Sequence, residues 1–210
     1  MKHTTITLLT LTAAASFAQS APAAASAFTT TGNVALTSNY VFRGISYNNH
    51  VAIQGGFDLT KTPVSGLTAG VWGSSLSDGT EIDLYANYGF KIGAVDVSVG
   101  YIDYTYAASS ANATGGEANI SATYAGLTLK ASRGVTGALS DYYYEANYSY
   151  DIPAVKGLNL GLHYGSDKAS SKYDYALALT YPVLGFDASV AYNKLEGAGS
   201  ITAFTVKKSF

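Results

Sequence analysis

The chain has 210 residues, 12% of them charged and 13% aromatic, with 18 Tyr, 22 Gly, no Cys and a formal net charge of −2. A balance this close to neutral offers no electrostatic footprint for nucleic acid, and the lack of Cys excludes disulfide frameworks and thiol-based zinc sites. Low charge with a Tyr and Gly excess fits a β-barrel better than a helical enzyme.

The N-terminus reads as an address. Lys2 and His3 precede an apolar run, Ile6 to Ala15, too short to span a bilayer, and the small-residue patterns Ser16-Phe17-Ala18 and Ala25-Ser26-Ala27 follow it. This predicts a secretory signal peptide over residues 1–18, with cleavage after Ala18 favoured over Ala27. A flexible Ala- and Ser-rich leader over 19–31 and an outer-membrane barrel over 32–210 are expected to follow.

From there the sequence alternates with period two. Strands are predicted at Asn33–Arg43, Val51–Leu59, Leu67–Ser74, Thr80–Phe90, Val95–Tyr106, Glu117–Tyr124, Leu127–Arg133, Asp141–Tyr150, Leu158–Gly165, Tyr173–Tyr181, Phe186–Asn193 and Ile201–Phe210. The clearest unit is Tyr173–Asn193. There Tyr173, Tyr175, Leu177, Leu179 and Tyr181 share one face with Asp174, Ala176, Ala178 and Thr180 on the other, and the pattern restarts after the Pro182–Gly185 turn. Twelve strands of about 9–11 residues suit a tilted crossing of a hydrocarbon core, and single-chain bacterial barrels use even strand numbers. The expected fold is therefore an all-β, antiparallel up-and-down transmembrane barrel.

Connections fall into two kinds, which sets the orientation. Lys61–Gly66, Lys91–Ala94, Ala125-Gly126, Asp151–Gly157 and Pro182–Gly185 are compact and read as periplasmic turns. Gly44–His50, Ser75–Gly79, Ala107–Gly116, Gly134–Ser140, Ser166–Lys172 and Lys194–Ser200 are rich in Gly, Ser, Asn and Asp and read as external loops. Their modest length predicts that none folds inward as a plug. With that orientation the outward rings form two belts: Tyr40, Phe42, Tyr101, Tyr142, Tyr164, Tyr173 and Tyr192 outside, and Phe57, Tyr88, Phe90, Tyr124, Tyr148, Tyr150, Tyr181, Phe186 and Phe210 at the periplasmic end. Amphipathic rings settle at headgroup level, so the expected partners are outer-membrane lipids, and the terminal strand ending in Phe210 is of the kind that barrel-assembly machinery reads. A monomer is expected.

The inward phase supplies the candidate pore lining: Arg43, Asp58, Glu81, Asp83, Glu117, Lys130, Glu145, His163, Asp174 and Lys207, with Asp96 and Asp187 on the same face. Carboxylates outnumber cations there, which predicts a weak cation preference. Arg43 is expected at the external mouth, level with Glu81 and Asp83 and within reach of both, or else bracing the wall. A lipid-directed hydrolase would need its triad on the outer face, whereas His163 points inward and His50 lies in a loop, so no catalytic residues are assigned. Glu81 and Asp83 read as lining rather than as a metal site, and Trp72 as packing beside Tyr85 and Tyr104. No cofactor is implied.

Several stretches carry a family resemblance: Thr37-Ser-Asn-Tyr-Val-Phe-Arg-Gly-Ile-Ser46, Gln54-Gly-Gly-Phe-Asp58, Ala69-Gly-Val-Trp-Gly-Ser-Ser75, Glu81-Ile-Asp-Leu-Tyr85, Gly100-Tyr-Ile-Asp-Tyr104, Tyr143-Tyr-Glu-Ala-Asn-Tyr148 and Val206-Lys-Lys-Ser-Phe210. Over nearly the whole mature chain the protein resembles the TorF-type porin family, also described as the Gcw_chp conserved hypothetical proteins. The resemblance implies a proteobacterial outer-membrane barrel with no assigned substrate and no catalytic residues to carry over. The functional expectation is a channel for passive diffusion or uptake of small solutes; the rival is a structural or adhesive barrel with an occluded lumen, since inward Tyr85, Ile102, Tyr104, Tyr106 and Tyr143 are bulky enough to fill it.

Overall fold

The computed structural model describes residues 28–109 and 114–210, all in strands and their connections. The predicted signal peptide and most of the predicted leader lie outside the described residues. The strands in chain order are β1 (Thr29–Thr37), β2 (Tyr40–Phe42), β3 (Ile45–Asn48), β4 (Ala52–Lys61), β5 (Leu67–Leu76), β6 (Gly79–Ile92), β7 (Val95–Ala107), β8 (Gly115–Tyr124), β9 (Leu127–Gly134), β10 (Tyr142–Asp151), β11 (Asn159–Asp167), β12 (Lys172–Val183), β13 (Phe186–Leu195) and β14 (Ser200–Ser209). All but β2 and β3 form one closed antiparallel barrel, each strand pairing with its neighbours in sequence. Closure comes from β1, which pairs with β14 from Asn33↔Ser209 to Thr37↔Thr205 and with β4 on its other edge. Closure removes free sheet edges, a requirement for any sheet in lipid.

Alternation decides which side of each strand faces out. Along β12 the side chains of Tyr173, Tyr175, Leu177, Leu179 and Tyr181 are exposed while Asp174, Ala176, Ala178 and Thr180 are buried, as the period-two pattern requires. Across the molecule the outward face is an apolar band of Leu, Ile and Val, and exposed Tyr and Phe gather toward both rims. The tight turns are made where two consecutive residues accept positive φ: Ala125-Gly126 (48° and 86°) and Leu184-Gly185 (52° and 80°) are two-residue hairpin turns whose twist matches the strands they join.

The first strand departs from the expected Asn33–Arg43. β1 starts earlier, at Thr29, and ends at Thr37, where it pairs with Ala52 of β4. Residues 38–51 are therefore all loop, and within them β2 and β3 pair as a separate two-stranded hairpin. This hairpin lies inside the barrel. Tyr40 is 4% exposed and packs with Trp72, Ala52, Leu76 and Tyr85 of the inner wall. The expectation that no loop folds inward is thus overturned, and Tyr40 and Phe42 leave the external belt for the lumen.

Candidate functional site

The hairpin leaves the barrel wall at a hinge of small polar residues. Ser38 makes the last rung of the β1–β14 ladder, donating its N–H to Phe204 O (2.8 Å) while its hydroxyl accepts from Phe204 N–H (2.9 Å). Beyond it, Thr37 Oγ1 donates to Asn39 O (2.9 Å) and Ser46 Oγ to Asn39 Oδ1 (2.8 Å), which bends the chain inward. On the return, Asn48 Nδ2 donates to Ser75 O (3.2 Å) and the Tyr47 carbonyl accepts from Ser77 N–H (3.1 Å), so both legs are fastened at the loop-end rim. The tip is Arg43-Gly44, with φ of 50° and 73°. A Cβ added at Gly44 would sit 2.9 Å from Cβ of both Asp174 and Leu195, so the tip lies against the β12–β13 wall and only Gly fits there.

Two sides of the lumen grip this hairpin by different means. On the β4–β7 side the contacts are rings. Tyr40 meets Trp72 edge-on (5.5 Å, 63°) and Phe42 lies 6.2 Å from Tyr104, with Tyr47, Ile102 and Tyr106 packed around them. Trp72 thus packs with Tyr85 as the sequence predicts, Tyr104 meets Phe42 instead, and Tyr40 is the partner that sequence did not supply.

On the β8–β12 side the contacts are charges. Arg43 Nη1 and Nη2 donate to Glu117 Oε1 and Oε2 at 2.8 and 2.7 Å, a bidentate pair, and the guanidinium lies 4.0 Å from the centre of the Tyr143 ring. Tyr104 adds a hydroxyl to Glu117 Oε2 (3.3 Å). The network continues along the wall: Lys130 pairs with Glu145 (3.3 Å), Asn147 Nδ2 donates to Glu145 Oε2 (3.0 Å), and Asn147 Oδ1 lies 2.7 Å from His163 Nδ1. His163 Nε2 is 2.9 Å from Asp174 Oδ1 and 3.0 Å from the Tyr143 hydroxyl, which itself donates to Asp174 Oδ2 (2.9 Å). Burial works against charge on Arg43, but the hydrogen bonds and field of Glu117 outweigh it and hold its pKa above the ordinary arginine value.

Arg43 accordingly does not reach Glu81 and Asp83. The expected placement followed from continuing β1 straight to Arg43; turning the chain inward at Ser38 carries the guanidinium to Glu117 instead. Glu81 (0% exposed) accepts from the Tyr106 hydroxyl (3.1 Å), yet its Oε2, like Asp83 Oδ1, is buried without a hydrogen-bond partner among the described residues. Asp58 accepts from Tyr85 (2.5 Å), and Lys207 is half-buried on β14. Asp96 and Asp187 share the inward phase but lie exposed near the turn-end rim, where Asp96 pairs with Lys91. Among the described residues no three His, Asp or Glu side chains converge as a metal site.

Burial differs between the two ends of the lumen. At hairpin level a small cavity of about 40 Å³ is bounded by Arg43, Lys130, Tyr143, His163 and Asp174. Toward the turns the lining changes to small polar residues: Asn33, Asn87, Ser98, Asn119, Ser121, Thr123, Thr128, Ser189 and Thr205 are half-buried, while Thr31, Asn159 and Thr180 are buried. Solvent therefore reaches part of the turn-end half of the lumen, whereas at the other end the hairpin packs against the inner wall. Sequence reasoning missed the roles of Phe42, Tyr104 and Tyr143. The available signal was the Ser38-Asn39 pair, a turn former inside an otherwise apolar alternation, and Arg43-Gly44, a dipeptide suited to a hairpin turn.

The chain belongs to the Gcw_chp family, described as a bacterial protein of unknown function, which matches residues 21–210. No protein of curated function matches by sequence. Among solved structures the barrel is similar to a membrane protein from work on in-meso crystallisation, with 11% identity, 87% of this chain and 83% of that chain covered and a TM-score of 0.64. It is also similar to the KdgM porin, at 10% identity, 86% and 98% coverage and a TM-score of 0.59, and to KdgM in complex with disordered oligogalacturonate, with 97% of that chain covered and the same score. At such identity the likeness is one of fold.

Proposed function

We propose that the protein is an outer-membrane porin of the TorF type, passing small solutes through a lumen narrowed by the β2–β3 hairpin, and that it is not an enzyme. The observation that carries this reading is the lumen itself: half-buried Ser, Thr and Asn from seven strands line much of its turn-end half, where a barrel serving only as a scaffold would bury apolar side chains. The outward apolar band between two sets of exposed rings supports placement in a bilayer. Secretion by the N-terminal signal and assembly through the Phe210 strand complete the proposal.

Inward carboxylates at Asp58, Glu81, Asp83, Glu117, Glu145 and Asp174 exceed the cations Arg43, Lys130 and Lys207. We therefore expect a weak preference for cations and for neutral solutes. An anionic oligosaccharide of the kind named with KdgM is disfavoured here.

The hairpin favours a second reading, a barrel closed at that level. Single-channel conductance in planar bilayers separates the two when wild type is compared with a variant in which residues 39–49 give way to a short Gly-Ser turn. Thr37 and Ala52 are paired neighbours, so a short link suffices. Small steps in wild type and larger steps in the variant support a hairpin-narrowed channel. Steps only in the variant support the closed barrel, and silence in both rejects a channel.

A further inference from the structure

On the outer surface, at the loop-end rim, Tyr142 and Tyr144 of β10 lie parallel, their ring centres 5.9 Å apart with 1° between planes. A cation sits over each: the Arg133 guanidinium 5.2 Å from the Tyr142 ring, and Lys168 Nζ 5.8 Å from the Tyr144 ring. They come from different places. Arg133 is on β9 opposite Tyr142 in register, while Lys168 is in the β11–β12 loop, held against β10 by its N–H donating to Tyr142 O (2.9 Å). All four side chains are exposed, and neither cation has a carboxylate within ion-pair distance among the described residues.

We infer that Arg133, Tyr142, Tyr144 and Lys168 form a binding site for the phosphate groups of an outer-leaflet lipid. The inference rests on the outer-membrane reading for its orientation. The chemistry comes from the site. Tyrosine rings facing out at a rim lie at headgroup level, so cations stacked on them meet the plane of lipid phosphates rather than bulk water. Each ring orders its cation and covers its apolar stem, while the charged end keeps its donors free. An arginine fork and a lysine on two adjacent rings match a headgroup carrying more than one phosphate, because Arg binds one bidentately and Lys a second as a point charge. The lumen's cations behave differently: Arg43 and Lys130 are each spent on a carboxylate of the wall.

The test uses the full mature protein folded in neutral detergent and native mass spectrometry, with bisphosphorylated lipid A, its monophosphorylated form and its dephosphorylated form as probes. Wild type should retain the bisphosphorylated lipid best and the dephosphorylated form least. The pair of substitutions Arg133→Gln and Lys168→Gln should weaken retention by about tenfold to thirtyfold, as expected for two charges at a lipid surface. The charge-keeping pair Arg133→Lys and Lys168→Arg should retain most of it, and Lys156→Gln, in the opposite turn, should change nothing. Because these side chains face away from the lumen, conductance should stay as in wild type, so a failure of the channel reading and a failure of this site are told apart. Equal retention of the three lipids by wild type, or unchanged retention in the charge-removing pair, overturns the inference. If that pair does not fold, the comparison of the three lipids on wild type still decides.

Discussion

The hairpin is held on one side by rings and on the other by charges, and the two sides differ in what they can specify. The β4–β7 wall offers Trp72, Tyr85, Tyr104 and Tyr106, whose burial drives contact without fixing an orientation tightly. The β8–β12 wall offers the Glu117 fork and the Tyr143 face, which accept one position of Arg43. The comparison teaches a division of labour: apolar area keeps the hairpin in the lumen, and the ion pair decides where its tip stops. It also explains why the turn at the tip is Arg-Gly. Arg43 reaches across the lumen to Glu117 on β8 while Gly44 touches the β12–β13 wall.

The largest expected effect comes from the ring side. Trp72→Ala removes the partner of Tyr40 and should cost about 3–5 kcal/mol, as large-to-small changes at buried aromatics do. Urea unfolding in lipid vesicles measures it, and a cost under about 1 kcal/mol would mean that the hairpin is not anchored there. On the charged side, Glu117→Gln leaves the Arg43 guanidinium largely buried without its anion and should cost about 2–3 kcal/mol, less than a fully buried pair because Arg43 keeps its Tyr143 contact and some solvent. If the two walls act independently, the double variant should show the sum to within about 0.5 kcal/mol, and a larger departure would show that tip and stem are one unit.

A smaller effect, on selectivity, sharpens the charged side further. Arg43→Ala frees Glu117 and removes the positive tip from the lumen, so reversal potentials in a potassium chloride gradient should move toward stronger cation preference. An unchanged potential would place the ion path away from the hairpin tip. Salt does little to mask this difference, because charges so enclosed are screened less than exposed ones.

Most of the barrel was legible because its exterior and interior demand opposite chemistry at every second residue. β12 shows why: one slip of register would put Asp174 in the apolar band and Leu177 in the lumen, so the sequence admits one phase. The hairpin was illegible for the same reason. Leu36, Tyr40 and Phe42 keep an even spacing from strand into loop, so Tyr40-Val41-Phe42 reads equally well as more of β1 or as a strand of its own. Only three-dimensional closure distinguishes them. The β1–β4 register ends at Thr37↔Ala52 and the β1–β14 ladder at Ser38, which leaves residues 39–51 no place in the wall. Arg43 followed the same logic. Its charge was readable as an inward group, but its partner was set by where the chain turned and not by its parity.

The smallest expected effect on stability belongs to the ring side's two buried carboxylates, and it tests whether that wall contributes more than apolar area. Glu81 and Asp83 lie two apart on the inward face of β6, both within the aromatic surroundings of the hairpin stem, and one oxygen of each has no partner among the described residues. A buried carboxylate oxygen left unpaired opposes folding, so replacing the group by its neutral isostere removes a penalty and should leave stability unchanged or raise it by about 1 kcal/mol. Asp83→Asn is the cleaner change, since Glu81 also accepts from Tyr106. The opposite side predicts the opposite sign: Glu117→Gln destabilises because its carboxylate is fully used by Arg43. The two isosteric substitutions therefore form a pair, read in the same urea titration. Asp83→Asn costing as much as Glu117→Gln would mean that Asp83 holds a partner in the folded protein, and the division between a ring wall and a charged wall would fall.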